Sequence, residues 1–318
     1  MITKIDDLTL IVPVRDRHQN LVRIAEYYKD LDCKKIIFDT SKVEYENSSI
    51  FSDAGFEYIY KGPISYPEVF YKISKIIETE YVVECPDDDV TLKSSIKDCV
   101  EFLKENKDYV VCDGEYLYFD KRTNALFPRH PNKFFGQLKE QFHSTSATER
   151  LRFWFDCNMS RVPSVIRSDT YRFIWDVIYK NPQFHPISFN DRVHGYITTL
   201  IGNAKTLPVV YQIRNWEPGT SIQDNQELFE ELQRDVQMAD CLDEHHLTPM
   251  VNLLVERGNI SFKEALELSI TLLKNQLAGG GDDCAVDTSD WEHRDGRHRH
   301  KHRDEMLYIC QLIRGIDG

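Results

Sequence analysis

The chain has 318 residues, 41% of them hydrophobic and 29% charged, which suffices for one large globular domain or two smaller ones. Its 39 basic and 52 acidic side chains give a formal net charge of −13, which argues against a general nucleic-acid binder because phosphate neutralisation needs clustered Lys and Arg. No apolar run is long enough for a transmembrane helix, and we expect no signal peptide. The eight cysteines are scattered without a CxxC pair, which predicts reduced thiols in the cytoplasm.

The first part of the chain alternates between apolar strands and amphipathic helices. Strands are predicted at 8–14, 35–38, 56–60, 81–85 and 109–119. Apolar residues at helical spacing predict intervening helices at 21–31, 69–77 and 96–103. This alternation indicates a mostly parallel sheet covered by helices, in which ligands bind beyond the carboxyl ends of the strands.

The remainder of the chain is increasingly helical. A helix is predicted at 188–202, a strand at 207–213 and a Pro/Gly loop at 215–222. Helical spacing recurs at 228–236, 250–254 and 265–273, and Ser261 with Glu264 forms a capping box before the last of these. A loop rich in Gly, Asp, His and Arg is predicted at 279–304, followed by one or two helical turns at 306–313.

Three consecutive acids, Asp87, Asp88 and Asp89, follow the predicted strand at 81–85. Adjacent carboxylates raise one another's pKa, and a divalent cation with a preference for oxygen ligands, Mg²⁺ or Mn²⁺, relieves that repulsion. Such a cation can bridge a diphosphate and stabilise it as a leaving group. The alternative is a solvated turn in which Thr91 is the N-cap of the next helix and the acids favour its dipole.

The segments LTLIVPVRDR, IIFDTS and YVVECPDDDVTL resemble the GT-A glycosyltransferases, especially the family-2-like bacterial enzymes of capsule and surface-polysaccharide synthesis. The resemblance implies that the first strand ends in a Pro-Val pair at the donor site and that an acid after the second strand contacts the nucleotide base. It also implies that an Asp-x-Asp motif binds ribose and metal. The donor-binding residues predicted in this way are Pro13, Val14, Arg15, Asp39, Asp87 and Asp88, with Asp87 and Asp89 as metal ligands.

The resemblance also implies a catalytic base at the start of a later helix, where the family has Glu-Asp and this chain has Asn190-Asp191. Asp191 would accept the proton of the acceptor hydroxyl as that oxygen attacks the anomeric carbon, with inversion. Because Ser188 and Asp191 also fit a capping-box arrangement, helix capping remains the alternative role.

Other candidate residues have two interpretations each. Arg15 and Arg17 fit either donor phosphates or a solvated loop, and Trp216 fits either a sugar-stacking lid or local packing. Position alone places Arg150, Arg152, Trp154 and Arg161 near an acceptor. His293 and His298 could supply a third metal ligand, but the neighbouring cations favour a solvated basic loop, which could also meet an anionic acceptor or lipid.

Three rival classes share parts of the pattern. Asp87 and Asp89 also fit the Asp-x-Asp-x-Thr motif of haloacid-dehalogenase-like phosphatases, with Gly281-Asp282 as a later motif, although that family places its motif after the first strand. A sugar-nucleotide pyrophosphorylase needs a Gly-rich loop after the first strand, which PVRDRHQN lacks. A non-catalytic carbohydrate-binding protein is the third class.

The sequence therefore predicts an α/β GT-A fold with a helical C-terminal region. The predicted units are a glycosyltransferase domain at 1–222, with nucleotide-sugar binding at 1–120 and the acceptor side at 121–222, and a helical region at 223–318. The predicted cofactors are Mn²⁺ or Mg²⁺ and a nucleotide-sugar donor, with a UDP-sugar preferred. The predicted acceptor is a glycan or lipid-linked saccharide, in the cytoplasm, with peripheral membrane association and a homodimer left open.

Overall fold

A computed structural model describes residues 3–120, 125–128, 143–157, 163–184, 187–216, 244–277 and 302–314. The predicted helix at 228–236 and most of the predicted loop at 279–304, including His293 and His298, lie outside these ranges. Arg161 and the Gly281-Asp282 pair also lie outside the described residues.

Four parallel strands form the N-terminal half of the sheet, in the order β3-β2-β1-β4. The elements are β1 (Thr3–Val14), α1 (Leu21–Tyr28), β2 (Leu31–Asp39), α2 (Ser49–Asp53), β3 (Phe56–Tyr60), α3 (Tyr66–Ile76) and β4 (Tyr81–Glu84). The apolar run at the end of β1 is buried because helices cover both faces of this central strand. The assignment of Leu31 to the first helix is wrong, because the chain turns at residues 29–30 and Leu31 begins β2.

The second half of the sheet mixes strand directions. Its elements are β5 (Val90–Thr91), α4 (Lys93–Glu105), β6 (Tyr109–Asp120), β7 (Ala125–Pro128), α5 (Ala147–Cys157), β8 (Val165–Arg167), α6 (Ser168–Lys180), α7 (Ile187–Ile201) and β9 (Asn203–Trp216). β8 lies antiparallel between β4 and β6, which makes β6 and its partner β9 parallel to the N-terminal strands. The carboxyl ends of β1, β2, β4, β6 and β9 therefore share one edge.

Three helices complete the described chain: α8 (Glu244–Gly258), α9 (Phe262–Leu277) and α10 (Arg303–Arg314). α8 packs against α5, α7 and α9, whereas α10 crosses to the other face and contacts α1 and β9. The predicted capping box is confirmed, since the Ser261 hydroxyl and amide both donate to the Glu264 carboxylate and the Glu264 amide donates to Ser261 Oγ.

Apolar side chains form one core on each face of the sheet. The first lies between the sheet and α1, α2, α4 and α10, and the second lies between the sheet and α3 with α5 to α9. This mixed α/β sheet flanked by helices confirms the predicted fold class. Within the described ranges, no helix combines the length and apolarity that a membrane crossing needs.

The alternative in which Thr91 caps the helix after the acids is wrong. Thr91 lies in β5 and pairs with β9, and the N-cap position of α4 is Leu92. The three aspartates therefore belong to a loop between two strands rather than to the first turn of a helix.

Candidate functional site

The acidic loop, defined here as residues 86–89, leaves the sheet at the carboxyl end of β4. The Cys85 amide still donates to the Ile11 carbonyl at 2.8 Å, so the chain departs from the sheet at Pro86. Asp87 and Asp89 point into the protein and are buried, whereas the Asp88 side chain is 43% exposed. The loop thus places two carboxylates inside the edge of the sheet and one at its surface.

Three arginines hold the acidic loop. Arg17 donates to carboxylate oxygens of both Asp87 and Asp88, the latter at 2.6 Å. Buried Arg23, on α1, donates one nitrogen to the backbone carbonyls of the same two residues, at 3.1 Å each. On the opposite side, Arg214 Nε donates to Asp89 Oδ2 at 2.9 Å. These contacts offset the repulsion between the three carboxylates.

Burial raises the pKa of both inward-facing acids. Removal from water raises the pKa of Asp87 to about 7, with the charge of Arg17 opposing the shift and that of Asp88 adding to it. Burial likewise raises the pKa of Asp89 to about 6, against the opposing charge of Arg214. The arginines therefore do not fully offset the effect of burial, and a further positive charge beside Asp87 and Asp89 would favour their ionised forms.

The oxygens of the acidic loop differ in their freedom to take a cation. Asp87 Oδ2 is a buried oxygen that no described group contacts by a hydrogen bond, whereas Asp89 uses one oxygen for Arg214 and the other for the Asn215 amide at 3.2 Å. Within the described residues, no three His, Cys, Asp or Glu side chains are arranged as a complete metal site. The carboxylates fit a cation that takes its other oxygen ligands from a diphosphate, with Asp87 Oδ2 as the buried oxygen that gives up no hydrogen bond to bind it.

A cavity of about 260 Å³ opens beside the acidic loop. Four of the predicted donor-binding residues, Pro13, Val14, Arg15 and Asp87, line it together. The remaining lining residues are Arg17, Thr40, Tyr66, Val69, Phe70, Glu84, Pro86 and Pro163. The lining therefore combines cationic and acidic side chains with apolar and aromatic ones, which suits a ligand with charged phosphates and a less polar end.

Asp39 ends β2 at the same edge, but its side chain is fully buried. Its Oδ2 accepts from the Tyr58 hydroxyl at 2.5 Å and contacts His18 Nε2 at 2.8 Å, and its Oδ1 accepts from the Ser41 amide at 2.8 Å. Burial of the phenol and its hydrogen bond to Asp39 raise the pKa of Tyr58. The structure places Asp39 beside the cavity, where its neighbour Thr40 lines the wall.

The predicted helix at 188–202 is confirmed as α7, in which Asp191 is the fifth residue, but the side chains of Asp191 and Trp216 lie outside what the structure describes. Arg150, expected near an acceptor, is instead buried. It donates to the carbonyls of Thr199 and Leu200, both at 2.8 Å, and so satisfies the carboxyl end of α7. Arg152 is exposed.

Several residues of the site were not predicted from the sequence. In the sequence, Arg23 is indistinguishable from any other polar residue of an amphipathic helix. Arg214 lies 125 residues after Asp89, so no local pattern connects the two. Glu84 and Tyr66 line the cavity but carry no motif. Only His18 had a local signal, because it directly follows the two arginines of the PVRDRH segment.

The strand order β3-β2-β1-β4, the antiparallel β8 and the acidic loop at the shared carboxyl edge match the predicted α/β fold class. Among solved structures, the chain resembles residues 1–349 of TarS from S. aureus, with a TM-score of 0.51 at 10% identity over 96% of this chain and 79% of that one. At that identity the likeness concerns the fold alone.

Two further TarS structures align less closely, with TM-scores of 0.41 and 0.44. The second of them is the 1–349 chain in complex with UDP-GlcNAc. Both are 12% identical to this chain and cover 86% of it, and the alignments span 55% and 80% of those chains, respectively. No family model and no curated protein matches the sequence.

Proposed function

We propose that this protein is a glycosyltransferase that moves a sugar from a nucleotide-sugar donor, preferably a UDP-sugar, to a hydroxyl acceptor. The observation that carries the proposal is the cavity at the carboxyl edge of the sheet, where Pro13, Val14, Arg15 and Asp87 meet. Residues 13–15 and Asp87 are far apart in sequence, and the fold brings them together at the edge at which open α/β sheets bind their ligands.

We assign the donor diphosphate to the arginines of the cavity. Arg15 and Arg17 both line it, and guanidinium groups bind phosphate oxygens through paired hydrogen bonds. A Mn²⁺ or Mg²⁺ ion would be held by Asp87, with Asp89 joining it where Asp89 exchanges its bond to Arg214 for the ion. When bound, the ion supplies positive charge at the departing diphosphate.

The proposed chemistry is a single displacement. The acceptor hydroxyl oxygen forms a bond to the anomeric carbon as the bond from that carbon to the diphosphate oxygen breaks, and the hydroxyl proton passes to the Asp191 carboxylate. Attack from the face opposite the leaving group inverts the anomeric centre. The electron pair of the broken bond leaves with the nucleoside diphosphate, beside Arg15 and Arg17.

We propose a glycan or lipid-linked saccharide as the acceptor and surface-polysaccharide synthesis as the setting. The described cysteines are all free, which supports a reducing compartment such as the cytoplasm. Peripheral membrane association and a homodimer remain compatible with this proposal.

The proposal is tested by measuring nucleotide binding and donor turnover together. We expect UDP with Mn²⁺ to raise the melting temperature of the wild-type protein, since a ligand at 100 times its dissociation constant stabilises a fold by about 2.7 kcal/mol. Asp87→Asn should lose the Mn²⁺-dependent part of this shift, and it should lose slow hydrolysis of a UDP-sugar. Asp32→Asn, at an exposed position, is the matched control.

The alternative functions have distinct outcomes in the same assays. Release of phosphate from an aryl phosphate, without any response to UDP, would identify a phosphatase instead. A protein that binds saccharides but neither UDP nor Mn²⁺ would be a carbohydrate-binding protein, and the glycosyltransferase assignment would then be abandoned.

A further inference from the structure

The side chain of Arg17 occupies the carboxylate to which the cation is assigned. Its Nη2 donates to Asp87 Oδ1 and its Nη1 donates to Asp88 Oδ2 at 2.6 Å, so one guanidinium bridges two acids. Asp87 is also the proposed ligand of Mn²⁺ or Mg²⁺. Because a divalent ion and a guanidinium repel each other at such short range, an ion that binds Asp87 has to overcome the charge of Arg17.

The acidic loop has a second support that does not involve Arg17. Arg23, which is buried on α1, donates to the backbone carbonyls of Asp87 and Asp88 at 3.1 Å each. Just before the loop, the Cys85 amide donates to β1 at 2.8 Å. The backbone of the loop is therefore held by groups that remain in place when the side chain of Arg17 turns away.

The side chain of Arg17 can move while its backbone stays where it is. The neighbouring Asp16 is anchored, since its amide donates to Ser41 Oγ at 2.8 Å and its Oδ1 accepts from the Lys42 amide at 2.9 Å. The Arg17 carbonyl accepts from the Asn20 amide at 3.0 Å. The Arg17 side chain, by contrast, is 47% exposed and lines the cavity. Side-chain rotation alone can therefore carry its guanidinium from the carboxylates to a ligand in the cavity.

We infer that Arg17 is an internal counter-ion that the donor diphosphate displaces, so that it holds Asp87 until the phosphates draw it away and thereby couples cation binding to donor binding. This inference rests on the proposed function. A diphosphate offers the guanidinium paired oxygens, as Asp87 and Asp88 do together. Once Arg17 has moved to the phosphates, it no longer occupies the carboxylate that receives the cation. Each ligand then tightens the binding of the other by the same factor.

The test is titration of the full-length chain with Mn²⁺ alone, followed by the electron paramagnetic resonance signal of free Mn²⁺. Arg17→Gln should bind Mn²⁺ at least about fivefold more tightly than wild type, the lower end of typical coupling between two sites. By reciprocity, the factor by which Mn²⁺ tightens UDP binding, measured by calorimetry, should fall in the same variant. Lys42→Gln removes the same charge at an exposed position beside Asp16 and is the matched control, which should keep the wild-type Mn²⁺ affinity.

The sign of the change separates this role from a purely structural one. If Arg17 only holds the acidic loop in shape, Arg17→Gln loosens the loop and weakens Mn²⁺ binding. Arg17→Lys keeps the charge, but its single ammonium lacks the fork that bridges Asp87 and Asp88, so its Mn²⁺ affinity should lie between those of wild type and Arg17→Gln. Melting curves establish that each variant is folded. If Arg17→Gln does not fold, Arg17→Lys decides, and an affinity no tighter than that of wild type counts against the inference.

Failure of this inference is distinguishable from failure of the proposed function. If wild type binds no UDP in the presence of Mn²⁺, the proposed function is wrong and the inference falls with it. If wild type binds UDP with Mn²⁺ but folded Arg17→Gln binds Mn²⁺ no more tightly than wild type, the inference alone is overturned. The same holds if Lys42→Gln gains as much Mn²⁺ affinity as Arg17→Gln, because the effect would then be one of net charge.

Discussion

His194 is a buried imidazole with no hydrogen-bond partner for either ring nitrogen within the described residues. It lies on α7, the helix that carries Asp191, and packs beside Trp175, with ring centroids 5.8 Å apart. Burial lowers the pKa of His194 from 6.5 to about 4, so the folded protein remains unprotonated there at pH values where the unfolded chain takes up a proton. This side chain therefore makes the fold sensitive to acid.

The direction of the pH effect follows from linkage. Between the two pKa values the unfolded state binds the extra proton, so the free energy of unfolding falls as the pH is lowered from 6.5 to about 4. We predict that His194→Leu reduces this loss by up to about 1.4 kcal/mol per pH unit. Urea unfolding between pH 7 and pH 5 measures it, with exposed His143→Leu as the control. Parallel pH profiles for wild type and His194→Leu would contradict the prediction.

At the scale of the element, helix α4 begins without a capping side chain from its own N-cap residue. Its N-cap residue is Leu92, and the helix amides are satisfied from outside by Glu305 on α10, which accepts from the Lys93 amide at 2.9 Å and from the Ser94 hydroxyl. The Tyr27 hydroxyl on α1 donates to the same carboxylate. A single acid thus joins three helices just after the acidic loop.

We predict that Glu305→Ala lowers the free energy of unfolding by about 1–3 kcal/mol, because it removes a charged cap and leaves buried donors unpaired. Asp304→Ala, at the exposed neighbouring position in the same first turn, should change it by less than about 0.5 kcal/mol. Chemical denaturation of both variants is the measurement. Equal effects would show that the carboxylate acts only through the dipole of its own helix.

The pairing of β6 with β9 depends on a glycine. The register shifts next to Gly114, where a Cβ atom would come within 2.5 Å of the Val209 carbonyl oxygen and 3.0 Å of the Tyr211 side chain. Because the nearest atom is backbone, relief requires the strands to separate.

We predict that Gly114→Ala lowers the free energy of unfolding by about 1–3 kcal/mol, the usual cost of forcing extra atoms into a packed interior. Thermal unfolding measures the loss. Amide exchange across β6 and β9 should also accelerate, and an unchanged exchange pattern would mean that this strand pair absorbs the methyl group elsewhere.

At the scale of the whole molecule, the last described helix, α10, packs into the core that the N-terminal strands and helices form. Ile309, Cys310 and Ile313 of α10 are buried in the same cluster as the residues of β1 and α1. The described helices therefore do not divide into an N-terminal and a C-terminal layer, since α8 and α9 cover one face of the sheet and α10 covers the other.

We predict that Ile313→Ala costs about 2–5 kcal/mol of unfolding free energy, as buried Ile to Ala changes do. Leu307→Ala, on the same helix with a side chain 51% exposed, is the control and should be nearly neutral. If both variants unfold in the same way as wild type, α10 contributes nothing to the N-terminal core.

Local sequence was sufficient for much of the sheet and for the place of the site. The apolar runs before Val14, Asp39 and Cys85 predicted parallel strands because side chains buried on both faces leave no alternating pattern. Since the carboxyl ends of such strands meet at one edge, Asp39 and the acidic loop could be assigned to that edge before their contacts were known, and the resemblance to GT-A glycosyltransferases implied that Pro13 and Val14 belong to the same site. The fold class and the position of the acidic loop were thus determined by the sequence itself.

The tertiary structure decided which charged groups face one another. Nothing near residue 87 indicates that Asp87 is buried and Asp88 exposed, or that Arg214 pairs with Asp89 across 125 positions. The burial of Asp39 behind His18 and the capping of α4 by Glu305 are likewise contacts between distant segments. Hydrophobic pattern records only whether a side chain is covered, whereas hydrogen bonds and ion pairs depend on which segment covers it, and that is set by the packing of the whole chain.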